Sequence, residues 1–227
     1  MFNIKLAGEN TIIIYFGDHA APKLAEQVAF YTQQLLDALG NIIIDVVPSY
    51  TSLMISYRLS LIDHHDFCDQ VEQLLSNSTF EPSDVNSNLI EIPVYYGLDV
   101  GLDLDSLLND KGLKLEEFIA IHSSKTYLVY AIGFSPAFAF LGKVDDRISA
   151  TRLARPRIKI PAGSIGIADN QTAVYPITSS GGWNIVGRTP VDLSLKEPEN
   201  IKRFSVGDRV QFMPISQEKY CSLGGTL

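Results

Sequence analysis

A polar stretch at residues 76–88, carrying Pro82, divides the chain into two differently patterned halves. Before it, strand-like and helix-like segments alternate. After it, and above all beyond Gly133, short β-prone runs are separated by glycine and proline. A polar segment of this kind reads as a linker. The spacing therefore predicts two domains, residues 1–85 and 86–227. The length of 227 residues admits one large domain or two small ones.

In the first half, residues 11–16 are β-branched and aromatic and read as a buried strand. Gly17-Asp18 ends it. Pro22 then suits the first turn of a helix, where a missing N–H costs little. Leu24, Val28, Tyr31, Leu35 and Leu39 recur every three or four residues and give one apolar stripe. Gly40 marks a helix stop. Residues 41–47 and 53–59 read as two more strands. A second helix is expected at residues 63–75, packing through Phe67, Val71 and Leu74. This half thus predicts helices laid against a mostly antiparallel sheet.

The second half predicts strands at residues 89–94 and 127–132, with short helices at 103–109 and 115–122 between them. Five short β runs follow, at residues 157–160, 164–168, 172–177, 183–186 and 209–213. Short strands between turn residues point to a closed or sandwiched all-β unit.

Several classes of function are disfavoured. The formal net charge is −8, whereas nucleic-acid binding relies on Lys and Arg neutralising phosphates. No stretch approaches the ~20 apolar residues of a membrane span, so no membrane association is expected. The N-terminal residues lack the blocks of a signal peptide, and the two cysteines, Cys68 and Cys221, suit a reduced compartment. A cytoplasmic protein is the expectation. His64-His65-Asp66 makes a poor metal site, because adjacent helical residues point about 100° apart, and no metal is expected. Neither G-x-x-x-x-G-K-[ST] nor G-x-G-x-x-G occurs, and G-x-S-x-G is absent too. The chain shows no nucleotide motif of its own.

Four stretches could carry chemistry. Residues 133–142 place Phe134, Phe138 and Phe140 among small residues between two glycines. This predicts a loop with several ring faces, or simply a packed apolar loop. Arg155, Arg157 and Lys159 share one face of an extended chain, with Ile158 and Ile160 directed to a core. That cationic face could hold a carboxylate or phosphate, or could be a solvated surface. The lone Trp183 follows Gly181-Gly182, and Arg188 precedes Thr189-Pro190. These make either a binding rim or a hairpin with a capping aromatic. His122 titrates near neutrality and is the acid/base candidate, against the alternative of a surface histidine at a helix C-terminus.

Taken in order, further segments resemble a known family. They are Pro48-Ser49-Tyr50-Thr51-Ser52-Leu53, Ile92-Pro93-Val94-Tyr95-Tyr96-Gly97, His122-Ser123 and Gly133-Phe134-Ser135-Pro136. Arg155-Pro156-Arg157, Pro161-Ala162-Gly163-Ser164, Gly181-Gly182-Trp183, Gly187-Arg188-Thr189-Pro190 and Gly207-Asp208-Arg209-Val210 follow. Their succession resembles the B subunits of 5-oxoprolinases, a family also called allophanate hydrolase subunit 1. The resemblance implies an α+β fold, with an N-terminal small α/β sandwich followed by a cyclophilin-like β-barrel. It implies ATP-dependent hydrolysis of 5-oxo-L-proline to L-glutamate, with ATP bound by the complex and with A and C subunits as partners. The family also includes an inhibitor of a sensor histidine kinase and is similar to part of the carboxyltransferase region of urea carboxylases. A regulatory kinase-binding role and a urea or allophanate role are therefore the alternatives. The expected site comprises His122 for proton transfer, Arg155, Arg157 and Arg188 for anion contact, and Phe134 and Trp183 as the pocket wall. Two positions depart from the family pattern: Ala137 stands for a glycine and Ser180 for a proline. If the glycine serves a positive φ, Ala137 must strain or reshape its loop.

Overall fold

The computed structural model describes residues 2–81, 87–194 and 196–227. They form two compact units, Met1–Ser87 and Asn88–Leu227, each with its own core. The boundary expected at 85/86 falls outside the described residues.

The first unit is a four-stranded antiparallel sheet with two helices. Its elements are β1 (Asn3–Gly8), β2 (Thr11–Tyr15), α1 (Pro22–Leu39), β3 (Ile43–Ser49), β4 (Ser52–Tyr57) and α2 (His64–Asn77). The strand order is β1-β2-β4-β3. Period-two patterning sends Ile12 and Ile14 of β2, and Leu53, Ile55 and Tyr57 of β4, to one face. There they meet Val28, Tyr31, Leu35 and Leu39 of α1, and Phe67, Val71 and Leu75 of α2. Pro22 opens α1, and the Asp63 carboxylate caps α2 by accepting from the Asp66 amide at 2.9 Å.

The second unit is a nearly closed barrel. Its elements are β5 (Leu89–Val94), α3 (Leu104–Lys111), α4 (Leu115–Ser123), β6 (Thr126–Ile132), β7 (Ala139–Gly142), β8 (Arg157–Ile160) and β9 (Ser164–Ala168). They continue with β10 (Gln171–Val174), β11 (Ser179–Gly181), β12 (Asn184–Arg188), β13 (Arg209–Pro214) and α5 (Gln217–Ser222). Seven strands run β12-β9-β10-β7-β6-β13-β5, and β13 lies parallel to β5. The edges meet through one antiparallel pair. The Tyr95 amide donates to the Arg188 carbonyl at 2.9 Å, and the Arg188 amide donates to the Tyr95 carbonyl at 2.9 Å. An edge that would otherwise expose unpaired donors is thereby covered. The barrel core contains Ile92, Val94, Leu141, Ile165, Ile167, Val186 and Phe212, with Phe118 of α4 packed in.

The chain is thus α+β, as its patterning led us to expect. Two details differ. Residues 133–142 are not wholly loop, because 139–142 form β7. Among the described residues, strand β8 pairs with β11 alone, in a two-stranded ribbon outside the barrel sheet. Ile160 is fully buried in the cluster with Phe138, Tyr175 and Trp183, whereas Ile158, two residues earlier, lies outside that cluster and is 94% exposed. The expectation that both isoleucines face a core fails for Ile158. Ile160→Ala is expected to lower stability by about 2–5 kcal/mol, and Ile158→Ala by no more than about 0.5 kcal/mol. Chemical denaturation of the two variants checks this, and an equal loss in both would contradict the arrangement.

Candidate functional site

The turn joining β6 to β7 builds the first half of the site. The Gly133 amide donates to the Phe138 carbonyl at 3.1 Å, and the Phe138 amide to the Ser135 carbonyl at 3.1 Å. To make this turn, Phe134 takes φ 68° and Ala137 takes φ 62°. Both are left-handed values that side chains resist. Ala137 therefore stands where a glycine would be relaxed, and it is buried. The strained turn lifts Phe134 outward, 64% exposed, and sends Phe138 inward.

Phe138 is the hub of an aromatic cluster. Its ring meets Phe134 at 5.2 Å, Phe140 at 4.9 Å, Tyr175 at 5.2 Å and Trp183 at 5.9 Å, all edge to face. Gly181 permits this approach, because a Cβ there would lie 2.5 Å from the Tyr175 hydroxyl. Phe134, Phe138, Phe140, Tyr175 and Trp183, with Arg152, Gly181 and Gly182, line a cup of about 150 Å³. The Arg152 guanidinium lies 5.9 Å from the centre of the Trp183 ring, at cation–π distance. Burial pushes the Tyr175 hydroxyl up to about 12. At neutral pH the Tyr175 hydroxyl keeps its proton.

Phe134 and Trp183 thus line the same cup. The three arginines do not. Arg155 is exposed. Arg157 is turned away from any free cationic face and forms a fork on Asp103, with Nη1 at 2.8 Å and Nη2 at 2.6 Å from its two oxygens. The same carboxylate accepts the Ile185 amide at 2.7 Å. Arg157 is therefore committed to holding the ribbon. Arg188 is buried on β12 and lines a separate cavity of about 320 Å³.

His122 is not a surface histidine at a helix end but lies in the core. It is fully buried, stacked at 4.7 Å on Phe212 and at 6.1 Å on Phe118. The Thr172 hydroxyl donates its proton to the Gly166 carbonyl at 3.0 Å. Toward His122 Nε2, at 3.1 Å, it can then only accept. Nε2 must carry the proton, and Nδ1 accepts from the Tyr96 hydroxyl at 2.7 Å. Burial lowers the His122 pKa to about 3, so the ring is neutral.

The cup also recruits Arg152, Phe138, Phe140 and Tyr175, which sequence reasoning does not assign to its walls. Alternating aromatics are the signal for the two phenylalanines. Asp103 gives no signal, because its partner lies 54 residues away.

Comparison with known proteins agrees with this architecture. The family described as "Carboxyltransferase domain, subdomain C and D" matches residues 2–201. The 5-oxoprolinase B subunit of Bacillus subtilis is 34% identical, over 96% of this chain and 95% of its own length. That of Escherichia coli O157:H7 is 31% identical, over 92% of this chain and 94% of its own. The crystal structure of TTHA0988 superposes with a TM-score of 0.79 at 28% identity and covers 91% of this chain. This chain spans only 40% of that longer one. The chain belongs to the carboxyltransferase subdomain C and D family. Within that family it groups with the 5-oxoprolinase B subunits.

Two outcomes are expected. Removing Arg157 leaves the largely buried Asp103 carboxylate without its counter-ion, so Arg157→Ala should cost about 1–3 kcal/mol of stability. A thermal melt reads this, and an unchanged melt would return Arg157 to the solvated face. For His122, the folded pKa lies below the unfolded one. The unfolded chain therefore binds a proton that the folded chain refuses. Stability is fully present above pH 6.5 and falls as pH drops toward 3, by about 1.4 kcal/mol per unit. His122→Gln keeps one donor and one acceptor without titrating. Its melting temperature should decline less than that of the parent between pH 6.5 and pH 4.

Proposed function

We propose that this chain is the B subunit of an ATP-dependent 5-oxoprolinase, and that it works only with A and C partner subunits. The near full-length similarity to two proteins named as 5-oxoprolinase B subunits carries the reading. A second observation supports the need for partners. In TTHA0988 the equivalent of this chain occupies 40% of one longer polypeptide, so more than half of that protein is additional chain.

The chemistry explains why ATP is needed. The lactam of 5-oxoproline is an unreactive amide. Phosphorylating its oxygen would open the carbonyl carbon to attack by water. Collapse of the adduct would break the C–N bond, the ring nitrogen leaving as the protonated amine. Hydrolysis of the remaining acyl phosphate would release glutamate and phosphate. The aromatic cup, at about 150 Å³, is smaller than the ~300 Å³ of ordinary small-molecule pockets. It suits one small ring and not a nucleotide. On this reading ATP is held elsewhere in the complex. Phe134 and Trp183 face the lactam ring, with Arg152 beside them.

The test is reconstitution. The purified chain alone is expected to give no ATP-dependent release of glutamate from 5-oxoproline, and the chain with its cognate A and C subunits is expected to give it. Trp183→Ala in the full set should cut kcat/KM by about tenfold or more, as loss of a central aromatic wall implies. Robust turnover by the isolated chain would overturn the partnership. No turnover by the full set would overturn the assignment.

A further inference from the structure

The cavity beside Arg188 lies apart from the aromatic cup and shares no lining residue with it. Its walls include Gly163, Thr178, Arg188, Asp192, Tyr220 and Thr226, around about 320 Å³. Arg188 is 8% exposed. Among the described residues no carboxylate forms an ion pair with it. Its buried Nε has no hydrogen-bond partner among the described residues, and its Nη1 donates to the Thr226 carbonyl at 3.1 Å. A guanidinium removed from water without a counter-ion is costly. Its placement on a cavity wall points to a counter-ion that comes from outside.

The wall next to it is kept bare. Gly163 takes φ 78°, and a Cβ there would stand 2.5 Å from the Thr189 carbonyl oxygen and 3.4 Å from Arg188 Cγ. The neighbouring backbone donors are already spent: Gly163 on the Tyr175 carbonyl at 2.7 Å, and Thr189 on the Gly163 carbonyl at 2.9 Å. Neither amide is therefore available to a ligand, and the guanidinium supplies the donors. Asp192 adds a negative charge to the same cavity, which disfavours a phosphate dianion and tolerates a monoanion.

We propose that the Arg188 cavity is a binding site for a small carboxylate, in which the Thr226 carbonyl stands where one carboxylate oxygen binds. The end of the Arg188 guanidinium then takes both ligand oxygens, one on Nη1, which Thr226 now occupies, and one on Nη2. Tyr220 donates its hydroxyl to the same Thr226 carbonyl at 3.0 Å, so it continues to hold that segment when the ligand enters. The site follows from Arg188 alone and stands whatever reaction the complex performs.

The experiment uses the full chain by itself. Arginine Nε–H and backbone amide resonances are followed by NMR while acetate, L-glutamate or inorganic phosphate is added. A saturable shift of the Arg188 Nε–H and the Gly163 amide with acetate or glutamate is expected, with weaker or no response to phosphate. Arg188→Lys should raise the apparent Kd about tenfold or more. Ala162→Glu serves if that variant does not fold. Ala162 is exposed and lines the cavity, so a carboxylate there should repel the ligand without unfolding the barrel. No saturable shift with either carboxylate would overturn the proposal. So would a preference for phosphate, or carboxylate affinity unchanged in the folded variants.

Discussion

One carboxylate, that of Asp103, fixes the geometry on which both cavities depend. It receives two nitrogens of Arg157 and the Ile185 amide, while its own amide donates to the Ile185 carbonyl at 2.9 Å. The start of α3, the ribbon strand β8 and the barrel strand β12 are thus joined at one residue. Trp183 lies two residues before Ile185 and Arg188 three after. A shift of β12 at Ile185 would move the aromatic wall and the buried guanidinium together. The carboxylate faces donors on both oxygens, and Arg157 supplies the opposite charge, so a costly burial becomes a firm attachment.

Closure of the barrel acts on the same strand. The Tyr95–Arg188 pair is the join between the two sheet edges. Arg188 therefore closes the barrel with its backbone and lines a cavity with its side chain. Thr172, His122 and Tyr96 form a hydrogen-bonded line through the interior, from β10 through α4 to the segment after β5. It is polar but fully paired, and it fixes a single tautomer. Such a line specifies how the helix seats in the barrel more sharply than apolar contacts alone would.

Much of this fold is legible in the sequence because period and punctuation agree with burial. Helix α1 shows its stripe, and β2 and β9 show their β-branched runs, so each element has a local signature. Strand β1 escapes such a reading because most of it is exposed and its apolar residues do not form a buried face. Strand β11 escapes it because Ser179-Ser180-Gly181 has little strand character of its own, and pairing with β8 creates it. The cationic face at residues 155–159 misleads for a related reason. Alternation says which side chains share a side, but not which side has a partner. Asp103 gives Arg157 its partner from far away in sequence, and Ile158 lies outside the cluster that buries Ile160. His122 is hard to place from sequence because its helix-end position suggests exposure, whereas the fold buries it and keeps its ring neutral.

The turn at residues 133–138 shows how the cup is visible in outline and not in form. Its aromatics can be read as ring faces, and the alanine at position 137 as a conflict if the backbone needs a positive φ. The backbone does take that value. Strain of this kind, of order 1–2 kcal/mol at a non-glycine residue, persists only where the surroundings overrule it. Here the surroundings are the rings of Phe140, Tyr175 and Trp183 closing on Phe138. Packing of the hub therefore holds the turn in its strained form, and the strained turn in turn presents Phe134 at the mouth. The exposure of that ring is not a defect of burial. It follows from a loop whose neighbour is anchored more tightly than its own backbone would choose.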